Sequence, residues 1–270
     1  MHEGAILIFD SGVGGLSVVG EIRACLGDAA LVYVCDNAAL PYGTKPDEWL
    51  IERIVAVCCC AVERSRASVL VVACNTASTL ALEALRSRLT IPVVGTVPAI
   101  KPAAQMSASK VIGLLATSAT VRRPYTDRLI EEYASECRVI RVAADGLVAE
   151  AERYLAGRTL STDKLRHAVQ PLFDIEALDT VVLGCTHFPL LREPLAALAP
   201  RELVWIDSGA AIARRVASVI SCPAKTRGVG MSMATAPGQD GLAHALAHFG
   251  FAAPEPLMLE DLSVMPESLH

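Results

Sequence analysis

Two cysteines sit where a thiol can do chemistry. Val71-Val-Ala-Cys-Asn-Thr and Val181-Val-Leu-Gly-Cys-Thr-His each run from an apolar strand pattern into a cysteine followed by polar residues. A thiol placed between a parallel strand and a following helix meets free backbone N–H groups and the positive end of the helix dipole, and both favour its ionised form. Asn75, Thr76, Thr186 and His187 add amide, hydroxyl and imidazole groups able to hold an anion or trade a proton. One such cysteine suggests a nucleophile. A pair on matching elements, Cys74 and Cys185, suggests an acid and a base on opposite faces of one small molecule, the requirement for inverting a carbon stereocentre. With no cofactor to delocalise charge, such a site must stabilise a carbanion-like transition state with preorganised donors. The bland alternative is burial, since free cysteine is among the most buried residue types. Cys25, Cys58, Cys59, Cys60, Cys137 and Cys222 are read that way.

Other motifs admit two readings each. The glycines of Asp10-Ser11-Gly12-Val13-Gly14-Gly15, after the first strand pattern, permit positive φ and close backbone approach to an anion. A nucleotide loop is a weak rival, because Ser17 stands where G-x-G-x-x-G needs its last glycine and no G-K-[ST] follows. Asp10 either caps the next helix or orients a proton carrier. Pro41, Tyr42 and Gly43 form a surface turn or a substrate-facing one. Asp36 is a loop acid or a site acid, Thr117, Ser118 and Thr120 are caps or site hydroxyls, and Glu152 is a solvated helix face or a site group. His187 is a structural histidine or a proton carrier.

Composition narrows the class. Hydrophobic residues make up 53% and aromatics only 4%, so Val, Leu, Ile and Ala must fill the core, as in parallel sheets covered by helices. The net charge of -5 is spread along the chain without a Lys/Arg block, which argues against nucleic acid. Nine cysteines with no C-x-x-C pair and no histidine at ligand spacing argue against a disulfide framework or a metal site. The longest apolar run, Ile54 to Val62, is nine residues, against the roughly 20 of a membrane span. No signal peptide is expected from the start, which carries Glu3 and reaches Asp10 after one short strand. A reduced, cytoplasmic protein is expected.

Strand patterns at Ala5-Phe9, Leu31-Cys35, Val69-Cys74, Val93-Val97, Val111-Ala116, Val139-Val142, Thr180-Gly184 and Leu203-Ile206 alternate with helical ones. That alternation predicts right-handed βαβ units whose strand ends gather into a ligand crevice. The strand-to-turn patterns also repeat, about 107 residues apart for the hydroxyl turns and 111 for the cysteines. Two similar α/β halves facing each other are therefore expected. Pro92 and Pro98 bracket the crossing between them, and Asp207-Ser-Gly marks the return. The expected division is residues 1–97 plus 208–270 against 98–207. The tail stretch Leu242-Phe249 is expected to pack on the first half.

Phe9-Asp-Ser-Gly-Val-Gly-Gly-Leu-Ser, Leu40-Pro-Tyr-Gly, Ala73-Cys-Asn-Thr-Ala-Ser, Ile91-Pro-Val-Val-Gly and Leu183-Gly-Cys-Thr-His-Phe-Pro-Leu-Leu together resemble the bacterial glutamate racemases. The resemblance implies a pseudo-symmetric two-domain fold and a cofactor-independent enzyme. In it Cys74 takes the α-proton from D-glutamate and Cys185 from L-glutamate, assisted by Asp10 and His187 respectively. It also places Ser11, Pro41, Tyr42, Gly43, Asn75, Thr76, Thr117, Thr120 and Thr186 around the substrate, with Asp36 and Glu152 as further candidates. D-glutamate would supply peptidoglycan synthesis, and a homodimer is kept open as the assembly. Cys35 ahead of Asp36 departs from the family pattern. A racemase for aspartate or another acidic amino acid, a non-catalytic anion-binding protein and a thiol hydrolase remain the rivals.

Overall fold

The computed structural model describes residues 4–220, 223–226 and 228–259, so Cys222 lies outside the described residues. The chain opens with β1 (Ile6–Asp10), β2 (Leu31–Cys35), β3 (Val69–Val72) and β4 (Val93–Gly95) in one sheet. A second sheet takes β5 (Val111–Ala116), β6 (Arg138–Ala143), β7 (Thr180–Leu183) and β8 (Val204–Ile206). The chain then returns to add β9 (Met231–Ala234) and β10 (Glu255–Pro256) to the first. The strand orders are β10-β9-β2-β1-β3-β4 and β6-β5-β7-β8, and every pairing is parallel. Within the first order, β2-β1-β3-β4 repeats as β6-β5-β7-β8. The duplication seen in short motifs is thus a duplication of topology, with Cys74 after β3 and Cys185 after β7 at equivalent strand ends.

Between these strands lie α1 (Leu16–Leu26), α2 (Asp47–Ser65), α3 (Asn75–Arg88), α4 (Ile100–Met106), α5 (Ser118–Val121) and α6 (Pro124–Tyr133). They are followed by α7 (Gly146–Leu155), α8 (Thr162–Phe173), α9 (Arg192–Ala197), α10 (Gly209–Val219) and α11 (Leu242–His248). Helices cover both faces of the sheets, which is why β1, β2, β3 and β7 read as continuous apolar runs and are buried throughout. Alternate side chains serve opposite layers. Ile6 and Ile8 pack toward α1, α10 and α11, while Leu7 and Phe9 pack toward α2 and α3. The edge strand β6 is largely open on one side and accordingly carries Arg138 and Arg141. Each fully buried aliphatic side chain, such as Leu16, Val19 or Ile22 of α1, contributes about 1.5–3 kcal/mol.

Two strands fall two residues short of their sequence patterns. β3 stops at Val72 because the Ala73 N–H makes one last bond to the Phe9 carbonyl at 2.8 Å and the chain then turns into α3, with Cys74 as the residue before it. β4 stops at Gly95, and the crossing to α4 uses residues 96–99. The strand patterns missed β9 and β10, which are short and rich in Met and Pro. β9 nevertheless pairs with β2 over Val32–Cys35, and Leu242, Ala245, Leu246 and Phe251 of the tail join the layer that holds α1.

Candidate active site

The carboxyl ends of the two sheets face each other across a cavity of about 190 Å³. Ser11, Pro41, Tyr42, Gly43 and Cys74 line it from the first half, together with Asn75 and Thr76 at the start of α3. Thr117 and Thr120 around α5, and Cys185, Thr186 and His187 after β7, line it from the second. Asp10, Asp36 and Glu152 lie behind this wall. Sequence reading did not place Leu40, Thr44, Asp145 or Val148 there, yet all four line the cavity. Asp145 follows β6 closely and precedes α7, so the rule of looking just past strand ends would have found it. No Lys or Arg among the described residues lines the cavity.

Cys74 is buried, with Ser11 Oγ 3.7 Å from its sulfur. Burial and then the charge of Asp10 push its thiol pKa up to about 12, against the pull of the Ala77 N–H and the Ser11 hydroxyl. Cys185 contributes to the same rise, so the two sulfurs sense one another across the cavity. Asp10 does not cap α1, which begins after Gly15. Its carboxylate instead accepts from the Gly12 N–H at 2.9 Å and from the Thr186 hydroxyl of the other half at 3.0 Å. Burial raises its pKa, while the charge of His187 and these two donors oppose the rise.

Cys185 has a different setting. A single 3-10 turn, Phe188–Leu191, separates it from α9, so the helix-dipole argument that applies to Cys74 at the head of α3 does not carry over. Its neighbour is His187, with Nδ1 3.8 Å from the sulfur. On the far side of the ring, Nε2 lies 2.7 Å from Glu152 Oε1, and the same oxygen accepts from the Val13 N–H at 2.9 Å. Burial alone would lower the pKa of His187. The hydrogen bonds to Cys185 and Glu152, with their charges, outweigh burial and hold the imidazole well above its ordinary range. Glu152 is therefore no solvated face residue but the second link behind Cys185.

The glycine loop also has another explanation than the expected one. None of Gly12, Gly14 or Gly15 adopts positive φ. Gly12 and Gly14 are small because the second half presses on them: a Cβ on Gly12 would lie 2.1 Å from Glu152 Oε1, and one on Gly14 2.5 Å from both His187 Nδ1 and Thr186 Oγ1, whereas Gly15 makes room for Asp10 and Tyr33 of its own half.

Asp36 is drawn away from the cavity into a buried cluster. Arg53 grips it with two bonds of 2.6 and 2.7 Å, and it also accepts from Tyr42 Oη at 2.8 Å and Thr235 Oγ1 at 2.8 Å. It thereby fixes the Tyr42 ring from behind. Thr117 does cap α5, accepting from the Thr120 N–H at 3.4 Å, and it lines the cavity as well. Asn75 Oδ1 is buried and meets no hydrogen-bond partner among the described residues. Among the described residues no group of three His, Cys, Asp or Glu side chains is arranged to hold a metal ion.

Fold and site together define a pseudo-symmetric protein of two parallel α/β halves, each placing one thiol in a shared crevice. The family described as Asp/Glu/Hydantoin racemase matches residues 16–216, and the chain belongs to it. A glutamate racemase of Proteus mirabilis is 52% identical over 225 residues, covering 83% of this chain and 78% of that one. A glutamate racemase of Salmonella paratyphi A is 46% identical over 258 residues, covering 93% and 91%. Among solved structures, Escherichia coli glutamate racemase in complex with L-glutamate and the activator UDP-MurNAc-Ala is 44% identical, covers 96% of this chain and 100% of that one, and has a TM-score of 0.91. The resemblance to bacterial glutamate racemases drawn from the motifs is borne out.

Proposed function

We propose that this protein interconverts L- and D-glutamate without a cofactor, with Cys74 and Cys185 as opposed acid and base. One observation carries the reading: two thiols from equivalent strand ends of facing halves line a single cavity of amino-acid size. The names of the relatives supply the substrate. Starting from L-glutamate, Cys185 takes the α-proton, with the imidazolium of His187 stabilising the charge that gathers at that sulfur. Cys74, protonated because of its raised pKa, delivers its own proton to the opposite face. The reverse reaction exchanges these roles, with Asp10 assisting Cys74. Backbone N–H groups and the hydroxyls of Ser11, Thr76, Thr117, Thr120 and Thr186 hold the carboxylates, since no described residue of the cavity wall offers a guanidinium or ammonium. Asn75 Oδ1, unpartnered among the described residues, accepts from the substrate ammonium.

On this reading residues 1–97 with 208–270 form one domain and 98–207 the other. The D-glutamate made in the cytoplasm supplies peptidoglycan synthesis. No helix among the described residues is long and apolar enough to cross a membrane. The deciding experiment is polarimetry of purified protein with L-glutamate and no added cofactor. Loss of rotation toward zero is expected, and unchanged rotation would sink the assignment. L-aspartate run in parallel separates the glutamate from the aspartate activity, growth of a D-glutamate auxotroph tests the cellular role, and light scattering reports whether the protein acts as the homodimer kept open from sequence.

A further inference from the structure

We propose that Tyr33 is a positioning residue for the second thiol, acting on it through the Gly12–Val13 peptide unit, Glu152 and His187. Tyr33 sits in the middle of β2, fully buried, and its hydroxyl donates to the Gly12 carbonyl at 2.7 Å. That carbonyl belongs to the same peptide unit as the Val13 N–H, which donates to Glu152 Oε1 at 2.9 Å. A peptide is planar, so a bond at its oxygen fixes the direction of its N–H, and a donor at the oxygen makes that N–H a stronger donor in turn. From Glu152 Oε1 the chain continues to His187 Nε2 at 2.7 Å, and His187 Nδ1 lies 3.8 Å from Cys185 Sγ. A hydrogen-bonded line thus runs from the core of the first half to the sulfur supplied by the second.

Tyr33 is suited to hold one end of this line. Burial and the nearby Asp10 keep the phenol protonated far into the alkaline range, so it remains a donor. The Phe251 ring of the tail packs against it at 5.8 Å between centroids, and Arg23 in turn lies over the Phe251 ring at 5.3 Å from its centroid. Gly15 gives the hydroxyl room, since a Cβ there would stand 3.0 Å from Tyr33 Oη. The tail therefore reaches the site through the seat of one ring. Glu152, at 19% side-chain exposure, has open space to turn into once the Val13 N–H no longer holds it.

The inference rests on the racemase reading for its kinetics but not for its spectroscopy. The charged groups facing His187 are Cys185 on its own loop, Glu152 on α7 and Asp10 at the end of β1. In protein labelled at histidine, Tyr33→Phe should lower the NMR titration midpoint of His187 by about half a unit or more, because Glu152 is no longer held against it. The kcat from L-glutamate should fall about 3- to 10-fold, the scale of one positioning hydrogen bond, with KM and the melting temperature little changed. In a Glu152→Gln background the same substitution should change kcat less than about 2-fold, as expected for residues acting in one line. In the unaltered protein, the Val13 amide should exchange with deuterated water more slowly than the amides of Ser11, Gly14 and Gly15, a measurement that needs no variant, while the Gly12 amide is held separately by Asp10. An unmoved His187 titration, full multiplicativity with Glu152→Gln, or a fast-exchanging Val13 amide would overturn the role. If the wild-type protein fails to racemise glutamate, the racemase reading falls, while the His187 titration and the Val13 exchange still judge Tyr33.

Discussion

Thr186, just after the second thiol, donates its hydroxyl to Asp10 Oδ2 at 3.0 Å, so the acid beside the first thiol is held by the other half of the molecule. Thr186→Val removes that donor and should raise the Asp10 pKa beyond its already raised position. Asp10 must be ionised to draw a proton toward itself, so the acidic limb of the pH profile for D-glutamate should move to higher pH. We expect kcat to fall about 10-fold, the scale of one charge-assisted hydrogen bond. A limb that stays in place would separate Asp10 from proton transfer.

Asp10 and His187 stand behind different sulfurs, and their removal should be felt unequally. Asp10→Asn should lower kcat more from D-glutamate, and His187→Asn more from L-glutamate. The equilibrium constant fixes only the ratio of the two kcat/KM values, so unequal kcat effects are allowed. Initial rates at saturating substrate in both directions check this, and equal losses in both would argue against separate assistants.

The two thiols leave an isotopic signature. Early in reaction in deuterated water, D-glutamate formed from L-glutamate should carry deuterium at Cα while the unreacted L-glutamate stays protiated. Cys74→Ala and Cys185→Ala should each abolish racemisation, the first retaining α-hydrogen exchange of L-glutamate alone and the second that of D-glutamate alone. NMR of recovered substrate and product reads both. Early deuterium in recovered substrate at the level of the product would remove the mechanism.

Glycines in the chain divide sharply in their tolerance. Gly14→Ala puts a methyl 2.5 Å from His187 Nδ1 and Thr186 Oγ1, and activity should fall at least about 100-fold as the two loops separate. Gly20, inside α1, where a Cβ would meet none of the described residues within 4 Å, should gain about 0.5–1 kcal/mol from Ala with activity intact. Thermal denaturation and a rate assay on both variants test the contrast.

Stability should decline on the alkaline side. The Cys74 thiol is raised from 9.0 to about 12, and Cys35, Cys58, Tyr33 and Tyr42 are likewise raised well above their ordinary values by burial. A raised folded pKa means that the unfolded chain releases its protons first. The contribution is fully present below the unfolded pKa and disappears as pH climbs through the folded one. Denaturant midpoints should therefore fall from about pH 9 upward as these thiols and phenols titrate. A thiolate absorbance at 240 nm attributable to Cys74 at pH 8, by difference from Cys74→Ser, would contradict this.

Much of the architecture was readable because buried parallel strands are almost unbroken apolar runs, as in Ile6-Leu-Ile-Phe and Val69-Leu-Val-Val, and polar residues collect where those runs stop. The cavity wall at Ser11, Asn75, Thr76, Thr117 and Thr186 follows from that rule. Tyr33 lies in the middle of such a run and reads as plain core, since nothing local shows that its hydroxyl meets the Gly12 carbonyl. Asp36 misled because its partners, Arg53 and Thr235, are brought together only by the packing of α2 and β9 around it. The dipole argument for Cys185 failed because the pattern after it does not distinguish a 3-10 turn from a helix start. Short strands such as β10 have too few residues to show a period.

The contact of Gly12 and Gly14 with Glu152, Thr186 and His187 bears on how such a molecule can change over evolutionary time. The halves share a strand order, yet they are no longer interchangeable modules, because a bare stretch of one has been shaped to the side chains of the other. A chimera that joins the first half of this chain to the second half of a distant relative will accept its new partner only where that partner is equally flat or equally full at this seam. Substitutions along it must therefore arrive in pairs, one on each side of the crevice.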